Sequence, residues 1–255
     1  MSNQDLPFGI DISRWQYSAD GRQKPDFGKV QATCEYIAIR SSISWGYTDP
    51  WFTYSWEHCL GMPRMAYHVP YFGESPIRQV DHWFSVVEPH ANWDYDRLVL
   101  DNELQHNNSA QRITDVTNQM LQIVRSRTGF FPLIYSRAEW VNRCMFTNQL
   151  PNGIQWWLAQ YLWKRPAPLF TPEHPGPPTL PRGVSDWLIH QTGEHYDGRK
   201  VGVASRYVDT NRWNGTSEDV LKYFNMYDES PPIPPFEQDL DWLLDIHTEN
   251  VQNHP

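Results

Sequence analysis

The sequence predicts an α/β fold, namely a TIM-like barrel of the (β/α)5(β)3 type with a short C-terminal extension. Short runs rich in Ile, Val and Tyr alternate with longer stretches of helical period, which is the pattern of βα units. The alternation is regular over the first five units and fades afterwards. The chain has 255 residues, and a single barrel of this class commonly has roughly 250.

Eight strands are predicted, one at each short apolar run. In chain order they are Phe8–Ile12, Tyr36–Arg40, Arg64–Val69, Leu98–Asp101, Phe131–Tyr135, Gln155–Gln160, Trp187–Gln191 and Arg206–Asp209. Helices are predicted at Phe27–Cys34, Trp51–Leu60, Pro76–Val87 and Ala138–Cys144, with a longer helix after the fourth strand. The joins between the last three strands contain little that indicates a helix, so irregular connections are expected there.

The helix after the fourth strand has the clearest boundary signals. Asn108 is a residue type that caps helices, Gln111 follows three positions later, and Gly129 is suited to a helix end. Apolar residues recur on one face between these ends, at Ile113, Val116, Met120, Ile123 and Val124. A capping box at Asn108 and a stop at Gly129 are therefore predicted.

Two proline clusters interrupt the chain. Residues 166–181 contain seven prolines, which excludes a helix or a central strand and predicts an extended surface loop. A second cluster at residues 231–235 is typical of a stiff polyproline spacer. We therefore divide the chain into a barrel at 1–227 and a C-terminal segment at 228–255.

The charge of the chain is concentrated in this C-terminal segment. The formal net charge is −9, which argues against nucleic acid or an anionic membrane surface as the main partner. Residues 228–255 contain seven acidic residues and no Lys or Arg. Their leucines have the spacing of one helical face, so a short acidic amphipathic helix is expected, with a protein partner such as a virion component as one candidate for its apolar face.

The N-terminal segment and the cysteines argue against a secreted, membrane-spanning or disulfide-linked protein. The segment Met1–Pro7 lacks the basic and apolar stretches of a signal peptide, and no apolar run is long enough for a membrane span. Cys34, Cys59 and Cys144 are odd in number and far apart. Neither a disulfide framework nor a zinc site is indicated, and buried free thiols are expected.

Four carboxylates lie at the ends of predicted strands or just beyond them: Asp11, Asp101, Glu103 and Asp209. The C-terminal strand ends of a barrel meet at one mouth, where active sites are built. Asp101 and Glu103 are two positions apart on an extended segment, so their side chains should project to the same side. Mutual repulsion favours keeping one of them protonated, and a glycosidic bond is cleaved with such an acid and a second negative group.

Each carboxylate also has a simpler interpretation. An Asp-x-Glu pair alone is more often a solvated face or a pair of metal ligands than a catalytic centre. Asp11 would cap the turn after the first strand, and Asp209 would pair with Arg212. The order of the motifs along the chain is more specific than any one of them.

Three motifs in this order resemble glycoside hydrolase family 25, the muramidase-type lysozymes that include phage endolysins. They are Gly9-Ile-Asp11-Ile-Ser13, Asp101-Asn-Glu103 and Val208-Asp209-Thr-Asn211-Arg212-Trp213-Asn214-Gly215. The likeness continues through Trp15-Gln16, Arg40, Ala66-Tyr67-His68, Ile134-Tyr135-Ser136 and Trp157-Leu-Ala-Gln-Tyr161. It covers about residues 7–215.

The resemblance implies a muramidase that cleaves the β-1,4 bond between N-acetylmuramic acid and N-acetylglucosamine in peptidoglycan, with retention and substrate assistance. Glu103 would be the general acid. Asp101 would stabilise the transition state by orienting the acetamido group, or act as a direct nucleophile. Asp11 and Asp209 would maintain the charge balance of the pocket. The expected sugar-binding residues are Tyr67, Tyr135, Trp157, Trp15, Gln191 and Asn211, and no metal or organic cofactor is implied.

Other side chains leave alternatives open. Trp187 and Trp213 are further candidates for the mouth of the barrel, and His68 is interpreted either as a core histidine or as part of the sugar site. The step His190-Gln191-Thr192 stands where the family usually has Trp-Gln-Tyr, so altered sugar contacts are expected. The proline-rich loop is also longer than the usual join and is expected to reshape one wall.

Two other functions fit the sequence less well. A chitinase-like hydrolase of another barrel family needs an Asp-Gly-x-Asp-x-Asp-x-Glu run, whereas residues 97–100 are Arg-Leu-Val-Leu. A non-catalytic glycan-binding or virion-structural protein would have no need of all four carboxylates. A wall-degrading enzyme without a signal peptide fits a phage lysin, either released from the host cytoplasm by a holin-type partner or carried on the virion.

Overall fold

The structure is a computed structural model that describes residues 3–18, 20–162 and 170–227. The predicted spacer and acidic helix at 228–255 lie outside the described residues, as does the first part of the proline-rich loop. No described helix is long and apolar enough to cross a membrane.

Eight strands close into a barrel, and a short ninth strand forms an antiparallel hairpin with the end of the second one. In chain order the strands are β1 (Phe8–Ile12), β2 (Tyr36–Ile43), β3 (Tyr47–Thr48), β4 (Arg64–Val69), β5 (Arg97–Asp101), β6 (Leu133–Ser136), β7 (Trp156–Ala159), β8 (Ile189–Asp197) and β9 (Tyr207–Trp213). The order around the barrel is β1-β9-β8-β7-β6-β5-β4-β2, and β2 pairs with β1 to close it. All neighbouring pairs in the closed ring are parallel except those of β9 with β1 and β8.

A helix follows each of the first five strands of the barrel and connects it to the next barrel strand. These helices are α1 (Phe27–Thr33), α2 (Phe52–His58), α3 (Pro76–Val87), α4 (Ala110–Thr128) and α5 (Ala138–Cys144). No α-helix joins β7 to β8 or β8 to β9 in the part of the chain that is described. The predicted (β/α)5(β)3 barrel is therefore confirmed. One helix, α6 (Ser217–Tyr223), was not predicted.

The predicted cap of α4 is wrong by one residue. Ser109 is the N-cap, because its hydroxyl accepts a hydrogen bond from the backbone N–H of Arg112 at 3.2 Å. The side-chain amide of Asn108 instead donates to the carbonyl of Gln105 at 3.0 Å, within the preceding turn. The predicted end is confirmed, since Gly129 adopts a left-handed conformation with φ of 87°.

Alternation along the strands gives the barrel two apolar cores. Outward-facing side chains of the strands pack under the helices in one core. This core also contains the three cysteines, which belong to α5 or to the ends of α1 and α2 and are buried and free as expected. A second cluster lies inside the barrel and includes Tyr36, Met65, Val99, Leu133 and Trp213. Gly9 is required beside it, because a Cβ atom there would lie 2.5 Å from the Tyr36 ring. This inner cluster fills the amino ends of the parallel strands and leaves the carboxyl ends for polar side chains.

Candidate active site

The four predicted carboxylates lie together in one cleft at the carboxyl ends of the parallel strands. The cleft has a volume of about 430 Å³ and is lined by Asp11, Asp101, Glu103 and Asp209 among others. Asp209 reaches this end because β9 runs antiparallel to β1, so that Asp209 and Asp11 are register partners. Because side chains alternate along each strand, the same inward-facing positions are apolar at the amino ends of the parallel strands and acidic at the mouth of the barrel.

Asp101 and Glu103 occupy different environments although they are two residues apart. Asp101 ends β5 and is buried, whereas Glu103 follows the strand and is exposed. Burial, together with the negative charges of Glu103 and Asp11, raises the pKa of Asp101 well above its usual value. One carboxyl oxygen of Asp101, Oδ1, has no hydrogen-bond partner among the described residues. This oxygen is buried, while Asp101 as a residue lines the cleft.

Asp11 is held by two side-chain amides. Its Oδ2 accepts hydrogen bonds from Gln191 Nε2 at 2.7 Å and from Asn211 Nδ2 at 2.9 Å. Burial raises the pKa of Asp11 to about 6, the two amide bonds oppose this rise, and the charge of Glu103 adds to it. Burial and the charges of Asp11, Glu194 and Glu103 likewise raise the pKa of Asp209. Each of these aspartates therefore ionises less readily than a free aspartate.

The orientation of Gln191 is fixed by two tyrosines. Its Oε1 accepts hydrogen bonds from Tyr135 Oη at 2.8 Å and from Tyr161 Oη. Because the oxygen is taken by hydroxyl donors, the amide nitrogen must face Asp11, and it also lies 3.5 Å from Asp209 Oδ2. Gln191 therefore positions two carboxylates.

Asn211 is fixed in a similar way on the neighbouring strand. Its Oδ1 accepts a hydrogen bond from Trp157 Nε1 at 2.8 Å, which turns its amide nitrogen toward Asp11. Asn211 is fully buried behind the lining of the cleft. The structure thus places Gln191 and Asn211, both expected to bind sugar, in contact with the acidic cluster.

The remaining predicted sugar-binding residues line the cleft. Tyr67, Tyr135 and Trp157 contribute to its walls, and Trp15 stands at the edge with 64% of its surface exposed. Arg40 also lines the cleft, and its positive charge, with that of Arg137, opposes the rise in the pKa of Asp101.

One wall of the cleft was not predicted. Glu194 and His195 lie on the extended part of β8, and Tyr207 begins β9; all three line the cleft. The rings of His195 and Tyr207 stack with centroids 4.7 Å apart. The polar run after Gln191 has no apolar alternation, so no signal in the sequence marked it as strand.

Other candidates lie away from the cleft. Trp213 packs in the inner apolar cluster and Trp187 packs against the outer one. His68 is a core histidine: its Nδ1 lies 2.8 Å from Ser42 Oγ, its ring stacks on Trp83, and burial lowers its pKa to about 3.

The side chains of His190 and Thr192 on β8, where the family usually has aromatic residues, also face outward. His190 Nε2 contacts the carbonyl of Gln160, and Thr192 donates to Glu173 at 2.9 Å. Neither side chain lines the cleft. The expectation that His190 and Thr192 alter the sugar contacts of the groove is therefore wrong, because strand alternation turns both of them away from it and only Gln191 inward.

A barrel whose mouth presents clustered carboxylates beside flat aromatic side chains has the site of a glycoside hydrolase, since glycosidic bonds are cleaved by paired carboxyl groups. The chain belongs to the glycosyl hydrolases family 25, whose family model matches residues 10–196. It is therefore a glycoside hydrolase.

The chain is also similar to a curated protein and to solved structures. Uncharacterized protein YegX of Escherichia coli O6:H1 is 28% identical over 228 residues, which cover 88% of this chain and 75% of YegX. The lysozyme of Streptomyces coelicolor has the same fold, with a TM-score of 0.71 and 23% identity over 87% of this chain and 99% of that one. A muramidase of Acremonium alcalophilum gives a TM-score of 0.68 and 20% identity over 86% and 99%.

Proposed function

We propose that this glycoside hydrolase is an N-acetylmuramidase that cleaves the β-1,4 bond between N-acetylmuramic acid and N-acetylglucosamine in peptidoglycan. The observation that carries the proposal is the convergence of Asp11, Asp101, Glu103 and Asp209 in one cleft of a family 25 barrel. Fold neighbours described as a lysozyme and a muramidase support it.

Glu103 is assigned as the general acid. It is the exposed member of the Asp101–Glu103 pair, so its carboxyl group is accessible to the glycosidic oxygen of a bound strand. When the bond between the anomeric carbon and this oxygen breaks, the oxygen takes the proton of Glu103. The resulting Glu103 carboxylate then accepts a proton from the water that completes hydrolysis.

Asp101 is assigned to the acetamido group of the substrate. Asp101 lines the cleft, and an acetamido N–H can donate to its carboxylate. This orients the acetamido oxygen to attack the anomeric carbon as the leaving oxygen departs, which forms a cyclic oxazolinium. Water then opens this ring, so the product has the original anomeric configuration.

The stereochemistry tests the substrate-assisted route. Proton NMR of the first product formed from a soluble glycan should show the β anomer before mutarotation. An initial α anomer would mean that water attacks directly from the opposite face, as in inverting enzymes, and would exclude the assigned role of Asp101.

The bond specificity is tested separately. Purified peptidoglycan is digested, the fragments are reduced with borohydride, and their masses are measured. A muramidase leaves reduced N-acetylmuramic acid ends, whereas reduced N-acetylglucosamine ends would show that the other glycosidic bond is cut. Glu103→Gln protein, prepared identically, controls for contaminating hydrolases.

A further inference from the structure

Two exposed aromatic side chains stand on the rim beside the cleft. Ile43 of β2 and Val69 of β4 are register partners, and both line the cleft. Trp45 and Tyr71 each follow two residues later, and 46% and 38% of their surfaces are exposed. Both therefore follow the neighbouring ends of β2 and β4 at the mouth of the barrel.

Consecutive residues of one helix turn hold both aromatic residues. The Arg78 guanidinium lies over the Trp45 ring, with its carbon 4.5 Å from the ring centroid. Gln79 is fully buried and clamps the backbone of Tyr71: its Oε1 accepts from the Tyr71 N–H at 2.7 Å, and its Nε2 donates to the Tyr71 carbonyl at 3.0 Å. The first turn of α3 thus contacts the Trp45 ring and holds the backbone of Tyr71.

The turn that carries Trp45 is also fixed at its base. Ser44 adopts a left-handed conformation with φ of 52°, which is uncommon for a residue with a side chain. Its backbone N–H donates to the carbonyl of Val69 at 2.9 Å, and the pairing of β2 with β3 closes the turn. Strained backbone of this kind persists only where the surroundings determine it, and it concentrates at functional sites.

Tyr71 is supported on its other side by the loop after β5. The His106 ring lies 4.3 Å from the Tyr71 ring, centroid to centroid. His106 is only two residues beyond Leu104, which lines the cleft next to Glu103. The rim residues are thereby connected to the segment that carries the assigned acid.

We propose that Trp45, Tyr71, Arg78 and His106 form a saccharide-binding rim platform, which takes sugar units of the glycan strand that lie beyond the catalytic cleft. This rests on the proposed function. A glycan strand is a polymer, so it must leave a cleft of about 430 Å³ across the rim. Tryptophan and tyrosine offer flat apolar faces with a polar edge, which suit pyranose rings. Because the rings are already held, binding orders few side chains and loses little entropy.

The test measures how the rate of hydrolysis depends on the length of the glycan. Peptide-free glycan oligomers of increasing length are hydrolysed by the full chain, and the ratio of kcat/KM for long chains to kcat/KM for the shortest cleaved chain is measured. Trp45→Ala and Tyr71→Ala should each reduce this ratio by about three- to tenfold. Trp45→Phe, which keeps a flat ring, should restore most of it.

Tyr95→Ala is the matched control. Tyr95 is 39% exposed and precedes β5, so it lies at the amino end of the strands, opposite the cleft. This variant should keep the wild-type ratio. Melting temperatures near that of the wild type establish that each variant is folded.

Three outcomes would overturn the rim platform. An unchanged ratio in folded Trp45→Ala and Tyr71→Ala would show that the rings do not contact the strand. The same measurement is repeated with peptide-bearing glycans of equal length. A ratio that is reduced only with these glycans would show that Trp45 and Tyr71 bind the stem peptide instead. A wild-type chain that cleaves none of these glycans would overturn the proposed function, and the platform with it.

Discussion

Asp11→Asn should stabilise the folded chain at neutral pH and have little effect on its stability near pH 4. Burial raises the pKa of Asp11 from its ordinary value of 3.8 to about 6 in the folded chain. Between these values the folded state holds a proton that the unfolded state has lost. The stability of the wild type therefore falls as the pH rises through this window, and the deficit persists above it. Asparagine does not ionise, so the variant does not lose this stability as the pH rises.

The size of the effect follows from the shift. One pKa unit is worth about 1.4 kcal/mol, so a rise to about 6 corresponds to a gain on substitution of about 3 kcal/mol at pH 7.5. For a chain of this length that is a rise in Tm of roughly 6–12 °C. The amide oxygen of asparagine can still accept the hydrogen bonds from Gln191 and Asn211, so the packing is kept. Activity should fall, because the acidic cluster is altered.

Urea unfolding at pH 4.0 and pH 7.5 measures this directly. The gain should appear at pH 7.5 and be nearly absent at pH 4.0, with an unchanged dependence on urea concentration. Asp94→Asn, which removes an exposed carboxylate, is the matched control and should change stability little. An equal gain at both pH values, or an Asp11→Asn protein less stable than the wild type at pH 7.5, would refute the reasoning.

The assigned roles give further expected outcomes. Glu103→Gln should lower the rate of peptidoglycan hydrolysis by about 10²–10⁴-fold with little change in Tm. Glu88→Gln, at the far end of the barrel, is the control and should leave this rate unchanged. Near-normal activity of Glu103→Gln would contradict its role as acid. Asp101→Asn should be nearly as damaging and Asp209→Asn less so in the same assay, and the reverse order would contradict the division of roles. Deleting residues 229–255 should leave the hydrolysis of soluble glycan fragments unchanged, since none of the four carboxylates lies there, and a folded but inactive deletion protein would show otherwise.

The barrel was predictable where the apolar period is strong. The bounds of β1, β4, α3 and α5 agree with the sequence prediction residue for residue. These segments either bury alternate side chains inside the barrel or press one face onto it, so burial and local pattern coincide. Asp101 and Glu103 were predictable for a related reason, since they lie at and just beyond the end of β5, whereas Asp209 lies near the start of β9, which runs in the opposite direction.

The unpredicted parts depend on contacts between distant residues. β8 continues past Gln191 through a polar stretch to Asp197 because it pairs with β9, where Tyr196 and Val208 are register partners. No local pattern reports that pairing. The contact of Gln191 with Asp11 likewise joins residues at opposite ends of the sequence, so neither position alone indicated it.

The raised pKa values also bear on how the acid is maintained. Glu103 raises the pKa of Asp11, Asp101 and Asp209, and Asp11 raises the pKa of the other two aspartates. Such groups titrate as a set, and the pH profile of the enzyme reports the set rather than one residue.

Removing one negative charge should therefore move the titration of the others. Asp209→Asn lowers the repulsion that opposes ionisation of the remaining carboxyls, so the acid required for cleavage should lose its proton at a lower pH. The alkaline limb of kcat/KM against pH should shift to lower pH in this variant. A limb that stays in place, in a variant with measurable activity, would show that the protonation of the acid is set by its own surroundings and not by the cluster.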